Sequence, residues 1–292
     1  MFFFPDPKTP VLFQGITSTM GRYQTKIAKE YGTHLVAGVS HEATDSLEGI
    51  PVYSNVAKAV RVKHPQVSVV FSTPQKALPD VLEAVKAKIP LIICTTEHVP
   101  MHDALKMKVA AQRAKVTLLG PSSAGIWAVE KTVTGTLPPS LFNGGNIALV
   151  GRSASLMFEA VGQLTALGLG ISKCISLGAD HLIGTSFVPV VEALYADKAT
   201  QAILVIGQVH GTLEQELASF YAKKHSKKLF VYIPGKTLNR SDKAPLLGMK
   251  SVLFSDVIEE KKKCLTRAKA FWIDSPDKIG RTIFDTLKRK IK

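Results

Sequence analysis

Residues 147–155 read Ile-Ala-Leu-Val-Gly-Arg-Ser-Ala-Ser, an apolar run that gives way to small and polar residues. A helical pattern follows from Leu156, so the stretch predicts a strand, a tight loop and the start of a helix. Backbone N–H groups at a helix N-terminus have no intrahelical partner and lie at the positive end of the helix dipole. Because small side chains let an anion approach those groups, the loop is a candidate binding site for phosphate or carboxylate.

Short apolar runs recur along the chain with helical segments between them, a pattern typical of parallel sheets built from βαβ units. The predicted strands are too many for one simple sheet. Residues 134–146 are rich in proline and glycine and carry no helical period, so we place a domain boundary there. The prediction is two tandem, doubly wound α/β domains, residues 1–140 and 141–292. The predicted strands are Val11–Gln14, Leu35–Val39, Val67–Phe71, Leu91–Cys94, Thr117–Leu119, Ile147–Val150, Lys173–Leu177, Ala202–Ile206, Leu229–Ile233 and Ala270–Ile273.

The formal net charge of the 292-residue chain is +14, which raises the question of a nucleic-acid partner. The lysine clusters at residues 223–228 and 261–263 lack the interleaved aromatic side chains that stack on bases. A solvated basic surface is therefore favoured, with an acidic partner or anionic ligand as the next alternative and nucleic acid behind both.

The three cysteines, Cys94, Cys174 and Cys264, are widely spaced and form no Cys-x-x-Cys pair. Neither a disulfide framework nor a zinc site is indicated, so we expect no metal. No apolar run approaches the roughly 20 residues that span a bilayer, and the apolar N-terminus lacks a basic segment. We expect a cytoplasmic protein that does not act at a membrane.

The loop after the first predicted strand, residues 15–21, is a second candidate for phosphate binding. Gly15 and Gly21 bracket polar residues, but a dinucleotide fingerprint has three glycines, and Ser18 stands at the middle position. No Walker lysine follows. The alternative, a loop that only turns the chain, stays open.

Polar or small residues also follow three further strands of the first half, at residues 72–74, 95–98 and 120–125. Ligands of open α/β sheets bind at the carboxyl ends of the strands. These loops would therefore line one edge of the first sheet.

Six motifs together resemble the α subunit of succinyl-CoA synthetase, in the nucleotide-forming acyl-CoA ligase family, and their order holds over nearly the whole chain. Gln14–Gly21 resembles the family's Gln-Gly-Phe/Ile-Thr-Gly-x-x-Gly, Thr95–Pro100 its Ile-Thr-Glu-Gly-Ile-Pro, Gly120–Gly125 its Gly-Pro-Asn-Cys-Pro-Gly, Gly151–Glu159 its Ser-Arg-Ser-Gly-Thr-Leu-Thr-Tyr-Glu, Ser176–Asp180 its Gly-Ile-Gly-Gly-Asp, and Val205–Gly211 its Met-Ile-Gly-Glu-Ile-Gly-Gly.

The resemblance implies a Rossmann-like domain that binds coenzyme A, followed by a flavodoxin-like ligase domain, both with mainly parallel sheets. It also implies a partner, an ATP-grasp β subunit. The residues it places near coenzyme A are Gly15, Thr17, Ser18, Thr19, Met20, Gly21, Ser72, Pro74, Thr95, Thr96, Glu97 and Ser122, and those of the phosphate loop are Arg152, Ser153, Ala154 and Ser155.

The chain departs from the family at the residues that carry the chemistry. In the family, a histidine in Met-Gly-His-Ala-Gly accepts the phosphoryl group, and two helix N-termini hold the phosphohistidine. Here that position is Leu246, and no histidine follows His225. The family's glutamate that bonds the histidine is Gln208, and a neutral amide cannot stabilise an imidazolium as a carboxylate does.

Two further positions of the family pattern differ. The tyrosine at the substrate position is Phe158, and the family's Pro-Gly-Lys-Gly-Gly loop, whose lysine contacts a phosphate of coenzyme A, is replaced by residues 41–45, His-Glu-Ala-Thr-Asp. The sequence therefore favours a coenzyme A-binding, α-subunit-like protein that does not form the phosphohistidine. One alternative is an active ligase subunit with another phosphoryl acceptor, for which His210 and His181 are weak candidates. A second is a basic interaction protein on the same scaffold.

Overall fold

A computed structural model describes residues 2–40, 42, 44–128, 132–235 and 254–288, apart from the side chains of residues 254 and 255. Each of the predicted strands overlaps an observed one. The strands are β1 (Val11–Gln14), β2 (Leu35–Val39), β3 (Ser46–Leu47), β4 (Ile50–Tyr53), β5 (Val67–Val70), β6 (Leu91–Cys94), β7 (Thr117–Leu119), β8 (Gly125–Ala128), β9 (Thr132–Gly135), β10 (Gly144–Gly151), β11 (Ile171–Ser176), β12 (Ala202–Ile206), β13 (Lys228–Tyr232) and β14 (Phe271–Ile273).

The helices fill the segments between most of the strands, as expected for βαβ units. None of those within the described residues is long and apolar enough to span a bilayer. The helices are α1 (Thr19–Tyr31), α2 (Val56–Lys63), α3 (Pro74–Lys86), α4 (Met101–Ala114), α5 (Ala154–Ala166), α6 (Phe187–Ala196), α7 (Leu213–Lys223), α8 (Phe254–Arg267) and α9 (Ile279–Lys288).

The first sheet of the described chain has seven strands in the order β3-β4-β2-β1-β5-β6-β7. Its strands are parallel except for the short pair β3 and β4. In the register of β1, Gln14 is opposite Val39 on one side and Val70 on the other. The loops after β1, β2 and β5 therefore emerge at the same edge, where the strand order reverses and ligands bind in such sheets.

The second sheet also has seven strands within the described residues, in the order β14-β13-β12-β10-β11-β8-β9. The pairs β10–β12, β12–β13 and β13–β14 are parallel, whereas β8 is antiparallel to both β9 and β11. The sequence did not predict the hairpin of β8 and β9. Strand β8 follows a loop of small residues and has no polar residues to alternate with its apolar ones. Strand β9 has only four residues and overlaps the segment interpreted as a domain boundary, so neither gave a clear strand signal.

Packing divides the chain into two compact units. The first comprises residues 1–140 and 173–186, and the second comprises residues 141–172 and 187–292. Segment 173–186 thus packs with the first unit, although it follows the start of the second in sequence. The division into folding domains at residues 140 and 141 stays a prediction.

Helix α5 begins at Ala154, directly after the loop of residues 151–153 and two residues before the predicted start. Its buried side chains, Met157, Ala160, Val161 and Leu164, recur at three- and four-residue spacing and form one apolar face. At the other end of the second unit, Ser275 precedes a short 3-10 turn with proline at its first position, and α9 follows it.

Candidate functional site

The loop between β1 and α1 forms a tight turn, and at two of its positions only glycine fits. Gly15 has φ +68°, and a Cβ there would lie 2.7 Å from the carbonyl oxygen of Phe71. At Gly21, a Cβ would lie 2.2 Å from the carbonyl oxygen of Gly15. Both glycines therefore let α1 begin directly against the loop, with its N-terminus at the edge of the sheet.

Ser18 caps α1. Its backbone is extended, and its Oγ accepts a hydrogen bond from the Gly21 N–H at 3.0 Å. The same hydroxyl donates to the carbonyl oxygen of Phe71 at 3.2 Å, which ties the loop to the end of β5. The first turn of α1 carries no acidic residue, so its dipole is available to an anion.

A cleft lies at this edge of the first unit. Four residues predicted from the sequence line it, Gly15, Thr17, Ser18 and Ser72. The site prediction did not include the rest of its lining, which comes from the ends of three strands and the start of α3: Gln14, Val39, Ser40, Glu42, Phe71, Thr73, Lys76 and Asp80. Pro74, which was predicted, is the first residue of α3. Lys76 and Asp80 are four residues apart and so lie on the same face of that helix, a signal that could have placed both at the site.

Gln14, the last residue of β1, supplies a buried polar group to the cleft. The residue is 1% exposed, and its Nε2 donates to Ser68 Oγ at 2.9 Å. Its Oε1 is buried and accepts no hydrogen bond from the described residues. A buried acceptor without a donor is costly, so this oxygen is suited to a donor on a bound ligand.

Ionisable groups of both signs surround the cleft. Glu42 and Asp80 are carboxylates, and Lys76 is the cation among the described lining residues. Asp80 accepts a short hydrogen bond from Ser72 Oγ. Arg22, on the first turn of α1, lies 3.8 Å from Glu42 through Nη2 and Oε2, and both side chains are more than half exposed.

The other residues that the resemblance placed near coenzyme A lie in the same unit but not in the lining of this cleft. Thr19, Met20 and Gly21 form the first turn of α1, with Met20 exposed, and Pro74 is the first residue of α3. Thr95 and Thr96 follow β6 and donate their hydroxyls to the carbonyl oxygens of Val70 and Ser72, at 2.7 Å and 2.9 Å.

Ser122 and Glu97 belong to a second group of polar residues at the carboxyl ends of β6 and β7. The Ser122 N–H donates to the Thr96 carbonyl, and its own carbonyl accepts from the Ala179 N–H. Burial raises the pKa of the Asp180 carboxyl above its usual range, and the Ser122 hydroxyl and His98 oppose the shift. Asp180 therefore holds its proton more tightly here than a carboxyl group in water does.

Two of the three cysteines, Cys94 and Cys174, are not activated nucleophiles. Cys94 and Cys174 are fully buried, and burial raises the pKa of the Cys94 thiol to about 12 and that of Cys174 in the same direction. Since the thiolate is the reactive form, both stay inert thiols at neutral pH.

In the second unit, the loop between β10 and α5 repeats the strand, small loop and helix arrangement. Ser153 caps α5, and its Oγ accepts from the Leu156 N–H at 3.5 Å. Ala154 and Ser155 form the first turn. Arg152 is 2% exposed, and its N–H donates to the Ile206 carbonyl at 3.1 Å, so its backbone continues the ladder toward β12.

Gln208, at the family's glutamate position, lies in the loop after β12. Its Nε2 donates to the carbonyl oxygen of Arg152 at 3.5 Å, which brings the two loops of the second unit together. Phe158 lies half-buried on α5. Arg152 and Gln208, which the sequence analysis names separately as site residues, thus lie next to each other near the N-terminus of α5.

A buried ion pair holds the Gln208 loop, and the sequence analysis did not identify it. Lys261 and Glu214 are both fully buried, and Nζ of Lys261 lies 2.5 Å from Oε2 of Glu214. The same Nζ donates to the carbonyl oxygens of Gln208 at 2.8 Å and of His210 at 3.2 Å. Oε1 of Glu214 accepts from the Gln208 N–H at 2.9 Å. The pair thus satisfies three backbone groups of one loop.

The two histidines weighed as alternative acceptors lie in different units. His210 is half-buried in the loop of Gln208, and His181 is exposed in segment 173–186 of the first unit. Leu246, the family's histidine position, lies outside the described residues. Within the described ranges, no three His, Cys, Asp or Glu side chains are grouped so that they could hold a metal ion.

Comparison with known proteins matches both halves of the chain to families. A family model described as a CoA binding domain matches residues 6–98, and one described as a succinyl-CoA ligase like flavodoxin domain matches residues 144–258. With the two mainly parallel sheets, these matches confirm the predicted fold class.

Curated relatives match over most of their length. The α subunit of the ADP-forming succinate–CoA ligase of Staphylococcus epidermidis is 33% identical over 290 residues, which is 99% of this chain and 96% of the relative. The α subunit 2 of the same ligase from Archaeoglobus fulgidus is 38% identical over 233 residues, 80% of this chain and 81% of the relative.

Solved structures share the fold at lower identity. The ATP citrate lyase of Methanothrix soehngenii, solved with citrate and coenzyme A, aligns with a TM-score of 0.83 at 19% identity. The alignment covers 98% of this chain but only 51% of the lyase chain, so this chain spans about half of that enzyme. The extent and identity of the curated matches show that the chain belongs to the family of succinate–CoA ligase α subunits.

Proposed function

We propose that this chain is an α-type subunit that binds a coenzyme A-class nucleotide in its first unit and does not carry a phosphohistidine. The observation that carries the proposal is the residue set of the second unit. Gln208 lies beside Arg152 at the N-terminus of α5, and the sequence has no histidine after His225.

The cleft of the first unit supports the nucleotide part of the proposal. It combines the loop that leads into the N-terminus of α1, the hydroxyls of Thr17 and Ser72, and the buried acceptor Gln14 Oε1. A pyrophosphate fits the helix N-terminus, and an adenine or pantetheine N–H fits the amide oxygen. The residues present thus fit coenzyme A, which would supply the thiol of an acyl thioester.

The residue at the family's acceptor position cannot take up a phosphoryl group. Phosphoryl transfer through an enzyme intermediate needs a nucleophile that takes up and releases the group. Leu246, at that position, has no such atom. The N-terminus of α5 still presents N–H donors, so we propose that it binds an anion such as free phosphate without a covalent step.

We also propose that the chain assembles with a β subunit. The relatives are named as α subunits of succinate–CoA ligases, and the chain spans almost their full length. In that assembly, this chain would supply the nucleotide cleft and the α5 loop, and the phosphoryl acceptor would be missing.

A phosphorylation assay tests the proposal directly. The chain is incubated with radiolabelled Mg·ATP or Mg·GTP and the β subunit of a related succinate–CoA ligase. We expect no acid-labile label on this chain. The positive control is the double variant Leu246→His with Gln208→Glu, which restores both family residues and should become labelled if the β subunit docks.

A label on the unmodified chain would overturn the proposal. Peptide mapping then identifies the acceptor, and the variants His210→Asn and His181→Asn separate the two histidines. A label lost in either variant would favour the alternative function, an active ligase subunit that uses a different acceptor.

A further inference from the structure

The described lining of the nucleotide cleft does not share the positive charge of the chain. The whole sequence has a formal net charge of +14. Among the described residues of the lining, Glu42 and Asp80 contribute two negative charges and Lys76 one positive charge, which leaves these residues at −1. Counting Arg22, which pairs with Glu42 at the rim, brings the total to zero and still adds no excess of cations.

Glu42 occupies a position that has a defined role in sheets of this kind. It is the third residue after the end of β2, and β2 lies next to β1, whose loop leads into the α1 N-terminus. In a βαβ nucleotide-binding unit, the pyrophosphate lies at that helix N-terminus, and an acidic residue after the second strand bonds the adenosine ribose. Because a carboxylate can accept hydrogen bonds from two neighbouring hydroxyls, it selects a ribose that carries both.

Contacts within the described residues hold the backbone at this position. The Glu42 N–H donates to Ser40 Oγ at 2.9 Å, and Ser40 Oγ and Thr17 Oγ1 form a hydrogen bond of 2.7 Å. Thr17, Ser40 and Glu42 all line the cleft. The backbone of Glu42 is therefore linked through Ser40 to the loop that would bind the pyrophosphate.

A phosphate on the ribose would meet this carboxylate. Coenzyme A carries a 3′-phosphate that is largely dianionic at neutral pH, whereas its dephosphorylated form carries a free 3′-hydroxyl. Like charges a few ångströms apart at a solvated surface disfavour binding by about tenfold or more at low salt. Lys76 comes from the first turn of α3, beside the loop after β5, and is available to the pyrophosphate instead.

We infer that the cleft selects an adenosine diphosphate ester whose ribose carries both free hydroxyls, such as 3′-dephospho-coenzyme A, over its 3′-phosphorylated counterpart. Glu42 is the residue that determines this specificity. The inference rests on the proposed nucleotide binding at the same cleft and narrows its ligand class.

The test is a pair of calorimetric titrations of the full chain at low salt, with 3′-dephospho-coenzyme A and with coenzyme A. The two ligands differ only in the 3′-phosphate. We expect the dephosphorylated ligand to bind about tenfold more tightly, and the difference to shrink as salt is raised, because screening weakens the repulsion between exposed charges.

Substitutions at Glu42 should change the ratio of the two dissociation constants. Glu42→Gln keeps the size of the side chain and should bring the two affinities close together, and Glu42→Lys should favour coenzyme A. Glu48→Gln is the matched control, because Glu48 also pairs with a cation of α1, Lys26, at 3.8 Å and does not line the cleft. We expect it to leave the ratio unchanged.

Each outcome decides between the proposals. Tighter binding of coenzyme A by the unmodified chain, or a ratio that Glu42→Gln does not change, would overturn the inference and leave the nucleotide-binding proposal intact. Binding of neither ligand would overturn the proposed function and the inference with it. Since Glu42 is exposed, its variants should unfold at the temperature of the unmodified chain, so a changed ratio reports on specificity and not on folding.

Discussion

The starts of α1 and α5 are built from the same local parts but have different surroundings. Each follows a buried strand and a loop of small residues, and a serine, Ser18 or Ser153, caps each helix. Around Ser18, the neighbouring side chains leave a cleft lined by polar groups, one of which is the unbonded oxygen of Gln14. Around Ser153, the neighbouring loop is held by the buried pair Lys261–Glu214.

The difference shows that a helix N-terminus is not sufficient to define a function. At the first helix start there is a cleft with hydroxyl groups and a buried acceptor that has no donor, and a ligand-binding site needs features of this kind. At the second, the buried pair Lys261–Glu214 satisfies the backbone groups of the neighbouring loop, and we propose that Leu246 stands where the family has its nucleophile. The four predictions below test this contrast, in order of decreasing effect.

Removing the cation of the buried pair should have the largest effect. Lys261→Met leaves the Glu214 carboxylate buried and unpaired and removes the donor to two carbonyls, which should lower the free energy of unfolding by about 3–5 kcal/mol. Lys262→Met is the matched control. Its ammonium forms a partly exposed pair with Asp274 at 3.1 Å, and its loss should cost below about 1 kcal/mol.

Urea denaturation followed by the fluorescence of Trp272, in a Trp127→Phe background, measures both variants against the same reference. The double variant Lys261→Met with Glu214→Gln should lose less than the sum of the single variants, because no buried charge is left unpaired. Equal effects at Lys261 and Lys262 would contradict the claim that the buried pair organises the second unit.

Glycines in the two helices should respond in opposite directions. Gly21→Ala in α1 should destabilise the protein by about 2–3 kcal/mol, since its Cβ would clash with backbone atoms of Gly15 and Ile16. Gly162→Ala in α5 should stabilise it by roughly 0.5–1 kcal/mol, because a Cβ there has no heavy atom within 4 Å. Chemical denaturation checks both, and a neutral result for Gly21→Ala would disprove the close approach of α1 to its loop.

The two caps should differ in strength. Ser18→Ala should cost about 1–2 kcal/mol, because the hydroxyl both accepts from the helix and donates to the Phe71 carbonyl. Ser153→Ala should cost about 0.5–1 kcal/mol, because its cap bond is long at 3.5 Å. Thermal unfolding of the pair provides the comparison, and a larger loss at Ser153 would reverse the ranking.

The smallest effect is expected at Asp180, in the other group of polar residues of the first unit. Burial raises the pKa of this carboxyl, so the native state binds its proton more tightly than the unfolded chain does. The stability that the protonated Asp180 contributes is fully present below pH 3.8, the ordinary pKa of an aspartate. It is lost as the pH rises through the raised pKa of the folded state.

Asp180→Asn keeps an acceptor for the Ser122 hydroxyl and cannot ionise. It should therefore unfold at a higher temperature than the unmodified chain at neutral pH and at the same temperature in acid. Scans of the melting temperature against pH measure the difference, with Glu48→Gln as the exposed control. A stabilisation that is independent of pH would show that ionisation of Asp180 is not its cause.

The sequence predicted the parallel strands and the loops that precede α1 and α5 because these features depend on neighbouring residues. Apolar runs and small loop residues are readable within ten positions of one another. Gly15, Thr17, Ser18 and Ser72, which line the cleft, belong to loops that follow β1 and β5, and the resemblance to the family selected them.

Features that depend on residues far apart in sequence could not be predicted. Lys261 lies 47 positions from Glu214, and in the sequence it is one member of a lysine run that reads as solvated surface. Gln14 is recognisable as a motif residue, but its unbonded oxygen becomes evident only from the packing around it. The hairpin of β8 and β9 was missed because β8 has no polar residue to alternate with its apolar ones, and β9 has only four residues and overlaps the segment interpreted as a domain boundary.

Hydrogen–deuterium exchange tests the contrast between the two helix starts in a single experiment. The full chain is labelled with and without saturating coenzyme A, and the amides of residues 15–21 are compared with those of residues 151–156. We predict that the ligand slows exchange in the first loop and in residues 39–42 and leaves the second loop unchanged. Protection of residues 151–156 without protection of residues 15–21 would contradict the assignment of the nucleotide to the first unit.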